Sequence, residues 1–187
     1  WDLDSLGTYS AAFGLNTKAT GNQSFAIGQN SIASGLTSLA VGTGSQASGT
    51  SSFAQGGGSK AMGTSSSSFG FATTAAATYS FATGKFSKAN GGSSAVFGDQ
   101  TISNGFASVV VGSYNDTVIA AQPTSDNAET PVFIVGNGNS SIRKNALLVR
   151  KDGRVGIGTS LPAAQLHIAD SSVVFTGSGG VYSTALQ

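Results

Sequence analysis

The chain has 187 residues, the length of one domain or of one repeat array with an appendage. Charged residues are 9% of it, against about 25% in ordinary globular chains, and Gly alone supplies 27 positions. Nine basic and eight acidic residues leave a net charge of +1, which gives no electrostatic reason to bind DNA, RNA or an anionic membrane. The absence of Cys excludes a disulfide framework, a thiolate metal site and a Cys nucleophile. One histidine, His167, cannot build a His-rich metal site from a single chain. No apolar run approaches the roughly 20 residues that span a bilayer. Trp1 opens the chain with neither Met nor a signal-peptide pattern, so it is expected to be a piece of a longer protein.

High Gly and Ser content suggests a flexible linker, but a strict repeat overrides that reading. A glycine closes a small apolar run every 14 residues, at Gly14, Gly28, Gly42, Gly56, Gly70, Gly84, Gly98 and Gly112. Halfway along each unit stand Gly7, Gly21, Gly35, Gly49, Gly63, then Ala77, then Gly91 and Gly105. A serine precedes each closing glycine by four residues, from Ser10 to Ser108, and Ala or Ser precedes each halfway position by two. Eight units account for residues 1–112.

A period of 14 is two heptads, but a coiled coil fails on cost. Fifteen of sixteen heptad-spaced positions are Gly, each about 1 kcal/mol worse than Ala in a helix. Their sum rivals a domain's whole stability of about 5–15 kcal/mol. A β-solenoid fits instead: glycines at two corners where φ > 0 is cheap, and between them strands of four or five residues such as Ser24–Ile27 and Ser38–Val41. Eight coils stacked at about 4.8 Å make a rod of roughly 40 Å.

A 14-residue coil encloses little, so a lone rod buries too little apolar surface to offset its ordering entropy. Parallel copies packed side by side are therefore inferred. Alternation divides each strand into two faces. Phe25, Leu39, Phe53 and Phe81 share one with Ile27, Val41, Phe69 and Phe97, and Val109 and Val111 continue it. Ser24 and Ala26 with their equivalents share the other. The favoured assignment puts the bulky set inside the roll against the Ala column and the small set at the interface between copies; the reverse is the alternative. Units four to six are expected to be softest, because Gln55, Ser67, Ser68 and Thr83 replace apolar residues and Ala77 replaces a corner glycine.

The unit Ser24-Phe25-Ala26-Ile27-Gly28-Gln29-Asn30-Ser31-Ile32-Ala33-Ser34-Gly35 resembles the head repeat of trimeric autotransporter adhesins, the YadA-like head. So does Ser38-Leu39-Ala40-Val41-Gly42 followed by Ser45-Gln46-Ala47-Ser48-Gly49. The family motif is a Ser-Val-Ala-Ile-Gly-like strand followed by Ser-x-Ala-x-Gly. This resemblance covers residues 1 to about 114. It implies an all-β, left-handed parallel β-roll of eight coils, three parallel chains around one axis, and exposure on a bacterial surface.

Past Tyr114 the register is lost. Residues 115–131, with Gln122-Pro123-Thr124-Ser125-Asp126, read as a polar connector, and 132–187 as a small β-rich region. Residues 1–112 hold seven charged groups and 113–187 hold ten. Val132–Val135 reads as a buried strand. Asp152-Gly153 between two β-rich runs is a hairpin signal. Leu166–Ile168 and Ser172–Phe175 are read as further strands. Asp152-Gly153-Arg154-Val155-Gly156-Ile157-Gly158-Thr159-Ser160-Leu161-Pro162, with Ala164-Gln165-Leu166-His167-Ile168, is similar to a motif of phage tail-fibre and secreted surface proteins, often placed before a C-terminal chaperone domain.

Catalytic patterns fail. Gly84-Lys85-Phe86 lacks the rest of a phosphate loop. Asp2, Asp4 and Asp99 do not recur as a Ca²⁺ repeat requires. Asp116, Asp126 and Glu129 are loop acids without paired geometry. No cofactor and no metal site are expected. The Lys18, Lys60 and Lys88 column reads as an outward solubilising face. Arg143, Lys144, Arg150, Lys151 and Arg154 form either a solvated hairpin face or a basic patch that contacts a ligand.

The functional expectation is a non-catalytic, homotrimeric surface fibre that attaches to a host or cell-surface receptor, a glycan or a matrix protein, with no nucleic-acid or membrane contact. The alternative is a tail-fibre segment of a phage or phage-like injection system. An ice-binding solenoid is a remote third reading. Thr8, Thr50, Thr64 and Thr78 share a column that Asn22, Leu36, Gly92 and Phe106 break. A glycan-degrading β-helix is equally remote for want of acids.

Overall fold

A computed structural model describes residues 6–117, 124–125 and 127–169, and the backbone of 176–177 and 180–181. The described residues contain strands and turns and no helix. The repeat folds as a parallel β-solenoid. Eight five-residue strands stack in one sheet: Ala11–Leu15, Phe25–Gln29, Leu39–Thr43, Phe53–Gly57, Ser67–Phe71, Phe81–Lys85, Ala95–Asp99 and Val109–Ser113. Their register is the 14-residue period itself: Phe25 lies beside Leu39, Ala26 beside Ala40, Ile27 beside Val41 and Gly28 beside Gly42. The opposite wall has two-residue strands, Ile32–Ala33 to Ile102–Ser103, also parallel.

The two glycine columns do different jobs. The closing set has positive φ; Gly28 stands at +119°, a conformation that strains any L side chain. The halfway set does not enter that region, which corrects the expectation of positive φ at both corners. Close approach requires those glycines instead: a Cβ on Gly35 would collide with the carbonyl of Gly49 in the next coil. The left-handed residue of each corner lies two positions later and is seldom Gly, as at Gln23, Thr37 and Ser51 on one side and Asn16, Asn30 and Phe86 on the other. Ala77 has no positive φ, and its corner keeps the standard bonds. Its carbonyl accepts the Ser80 hydroxyl at 2.6 Å, as that of Gly35 accepts Ser38 at 2.7 Å.

The interior is lined by small side chains. Ala26 and Ala33 are fully buried, Ser31 likewise, and Ser24 is 2% exposed, whereas Phe25 is 36% and Ile27 37% exposed. This reverses the favoured face assignment: the bulky set lies outside the roll and the small set fills it. Through the first six coils the space between the two walls is filled by methyls and hydroxyls. The hydroxyls also bond across the roll, as when Ser24 Oγ donates to Gly21 O at 2.6 Å and to Ala33 O at 3.1 Å. Side chains in the Ala26 column enlarge toward the C-terminal end, to Val96, Val110 and Ile134.

Polar departures in coils four to six are mostly external. Gln55 is exposed, and Ser67 and Thr83 are half-buried on the outer face, so they do not bury polar groups as expected. Ser68 alone enters the Ala column. It bonds the Thr73 hydroxyl at 2.8 Å and divides the alanine core into a run ending at Ala61 and another starting at Ala75. The buried hydroxyls without a partner in this region are Ser52, Ser59 and Ser66.

Solenoid register does not end at Tyr114. Strand Pro131–Asn137 adds a ninth parallel strand to the long sheet, with Phe133 beside Val109, Ile134 beside Val110 and Gly136 beside Gly112. Gly136 follows Gly112 by 24 residues, ten beyond the period, and that insertion hides the continuation from a search at fixed spacing. Asn145–Arg150 then pairs antiparallel and places the fully buried Leu148 against Ile134. The Asp152-Gly153 hairpin follows, with Gly153 at φ +84°. Val155–Ile157 completes it, and Leu166–Ile168 pairs parallel beside that strand. The expected strand Ser172–Phe175 and the loop acid Asp126 lie outside the described residues.

Candidate binding surfaces

The outer face of the long sheet carries an extended apolar feature. Phe53 meets Phe69 edge-on with ring centroids 4.9 Å apart. Phe69 lies 5.6 Å from Phe81, and Phe81 5.5 Å from Phe97. These rings step diagonally between the two outer columns, coil by coil. Each step needs a small neighbour: Ser67 stands beside both Phe53 and Phe81, Thr83 lies between Phe69 and Phe97, and Ala95 lies beside Phe81. The polar residues that look like defects in the repeat thus make room for a continuous aromatic strip. Phe13 and Phe25 extend the same face at 5.6 Å, with Leu39, Val41, Val109 and Val111 half-buried along it. A second aromatic feature stands at the corner after the closing glycine, where Phe71 and Phe86 meet edge-on at 5.4 Å and Lys85 lies 5.5 Å from the Phe86 ring. Repeat averaging conceals it, because Phe occurs once in each of the two columns.

The five basic residues do not form one patch. Arg143 and Lys144 precede strand Asn145–Arg150, while Arg150, Lys151 and Arg154 cluster at its far end, roughly 20 Å away at about 3.4 Å per residue. Arg150 is 8% exposed and pairs with Asp152 at 2.9 Å and Glu129 at 3.3 Å. Arg154 lies 3.6 Å from the same Asp152 oxygen. Lys151 stands 5.1 Å from the Phe106 ring. This end is an ion-paired hairpin base. At the other end, Arg143 Nη1 donates to Gln100 O at 2.9 Å and Asn115 O at 3.1 Å, with its guanidinium 5.8 Å from the Tyr114 ring.

Asn115 was invisible to motif reading. It occupies the column of Ser31 and Thr101, three residues past a closing glycine, and is fully buried. Its Oδ1 accepts the Ile102 N–H at 2.8 Å and its Nδ2 donates to the Ile102 carbonyl at 2.9 Å. The side chain so replaces the backbone pairing that another coil would give the short sheet.

Among the described residues no three His, Cys, Asp or Glu side chains converge on a metal-sized site. His167 is half-buried, and its Nδ1 accepts the Ala163 N–H at 3.3 Å. Asp116 accepts the Ser160 hydroxyl at 2.8 Å, and Glu129 is held by Arg150.

Parallel coils in a 14-residue register, with an aromatic strip on the outer face of the long sheet, define a β-solenoid. The family model of the YadA head domain repeat, two copies long, matches it at residues 5–31, 33–59 and 61–87. Residues 5–87 are a YadA-like head, the repeat of trimeric autotransporter adhesins, a family of bacterial cell-surface proteins. Each matched stretch is one pair of coils. No curated protein matches the chain.

Proposed function

We propose that the chain is a non-catalytic attachment segment: a parallel homotrimeric head, displayed on a bacterial surface, that holds a receptor, glycan or matrix protein. The observation that carries this reading is the aromatic strip Phe53–Phe69–Phe81–Phe97 lying half-exposed on a sheet whose opposite, inward face carries Ala54, Ser68, Ala82 and Val96 beside it. Burying such rings contributes about 25 cal/mol per Å², and a parallel copy offers the same strip in the same register. Three copies also triple every surface feature, and tethered sites gain about 10²–10⁴ in avidity over a single contact.

Sedimentation equilibrium of the wild type and of Phe69→Ser/Phe81→Ser, beside attachment to immobilised matrix proteins and glycans, tests it. The wild type should sediment as a trimer and attach, and the double variant should lose both. A folded wild-type monomer that attaches as strongly, or turnover of a glycan by the purified protein, would overturn the reading.

A further inference from the structure

Between the last coil and the hairpin region lies an open cavity of about 380 Å³, lined by Asn137, Arg143, Lys144, Thr159, Ser160 and Leu161 above a floor of Asp116 and Asn145. Its floor is already bonded. Asn145 Oδ1 accepts the Asp116 N–H at 2.9 Å, its Nδ2 donates to Ser160 Oγ at 3.0 Å, and Ser160 donates to the Asp116 carboxylate at 2.8 Å. Asn145 is 5% exposed, so this network is fixed before any ligand arrives.

The rim differs from the floor. Lys144 is exposed, and its ammonium has no partner among the described residues. Arg143 spends Nη1 on two backbone carbonyls, and its Nε and Nη2 bond no described residue. Those carbonyl bonds and the Tyr114 ring hold the guanidinium in place, which lowers the ordering cost of using its remaining edge. Asn137 is exposed, with a carboxamide free to donate and accept. Leu161, 69% exposed, is the one large apolar side chain of the lining.

We propose that this cavity binds an acidic monosaccharide unit, its carboxylate on Lys144 and Arg143 and its hydroxyls on Asn137 and Ser160. The volume suits one sugar ring. Two cations against the single Asp116 select an anion, the bidentate edge of Arg143 matches a carboxylate, and the polar lining suits a hydroxylated ring better than an apolar one. Leu161 offers one apolar surface for a ring face. The proposal rests on the attachment reading and names a ligand class for it.

Isothermal titration of the full chain with N-acetylneuraminate, glucuronate, glucose and acetate tests the site. The two sugar acids should bind saturably in the millimolar range, and glucose and acetate at least tenfold more weakly. Lys144→Glu should weaken the acids at least tenfold with an unchanged melting temperature, Asn137→Ala severalfold, and Lys60→Glu, on a distant exposed lysine, not at all. No saturable binding, acetate as tight as the sugar acids, or equal binding by Lys144→Glu would overturn the site. Attachment to glycan-free matrix protein separates the two readings. If sugar acids fail to bind while the protein still attaches, the cavity assignment falls and the attachment function stands. If sugar acids bind as described while nothing larger is held, the cavity stands and the attachment function falls.

Discussion

Solenoid and C-terminal hairpin region solve the same problem with opposite materials. Among the described residues, coils one to six enclose almost nothing but Ala, Ser and Thr, with Val96 and Val110 entering in coils seven and eight, and successive coils repeat the same backbone bonds. The region from 131 to 168 encloses Ile134 and Leu148, anchors Arg150 between two acids, and uses each side chain once. A repeat spreads its stability over many equivalent hydrogen bonds and contacts; the hairpin region concentrates it in a few. Damage to one coil should therefore cost through backbone geometry, and damage to the hairpin region through lost burial.

The largest effect should come from the solenoid's backbone. Gly28→Val forces a branched residue to φ +119° and against the Gly42 carbonyl. Denaturant titration should show a loss of more than about 3 kcal/mol, or no folded protein at all. Leu148→Ala comes next, at about 2–5 kcal/mol with the loss seated in the hairpin region. Amide exchange should show protection lost over 131–168 while coils one to six keep theirs, and uniform loss would mean the two regions are not distinct. Ala40→Val probes how the roll widens along its length: overpacking should cost about 1–3 kcal/mol at coil three, although Val96 and Val110 sit fully buried in the same column. Asn115→Ala should cost about 1–3 kcal/mol by orphaning the Ile102 N–H and C=O. At the bottom of the scale, Lys60→Ser on the exposed short-sheet face should change stability by less than about 0.5 kcal/mol.

The sequence shows the repeat and the positions of its turns, because glycine at every seventh residue is too costly for a helix and marks corners, but not that the halfway column serves close approach instead of positive φ. It shows that neighbouring side chains alternate between faces, but not which face is inward. That depends on the distance between walls, which Ala26 and Ala33 reveal only once the coil is closed. Diagonal packing of Phe53, Phe69, Phe81 and Phe97 is unreadable column by column, since each ring fills space that a small residue in the other column vacates. The ninth strand is hidden by its insertion. The acidic-sugar cavity is equally illegible, because it joins residues 116, 137, 143–145 and 158–161, which no local motif links.

Asn115 ends one wall of the solenoid while the other continues into Pro131–Asn137. A stack of parallel strands is in principle an unlimited polymer: its last strand presents the same row of donors and acceptors as every strand before it, and a strand from any other molecule can dock there. With the Ile102 amide and carbonyl taken by a carboxamide that belongs to the same chain, a further coil cannot pair with the short wall there, while the long wall turns aside into an antiparallel hairpin. The length of the short wall is then written into the chain instead of being left to concentration.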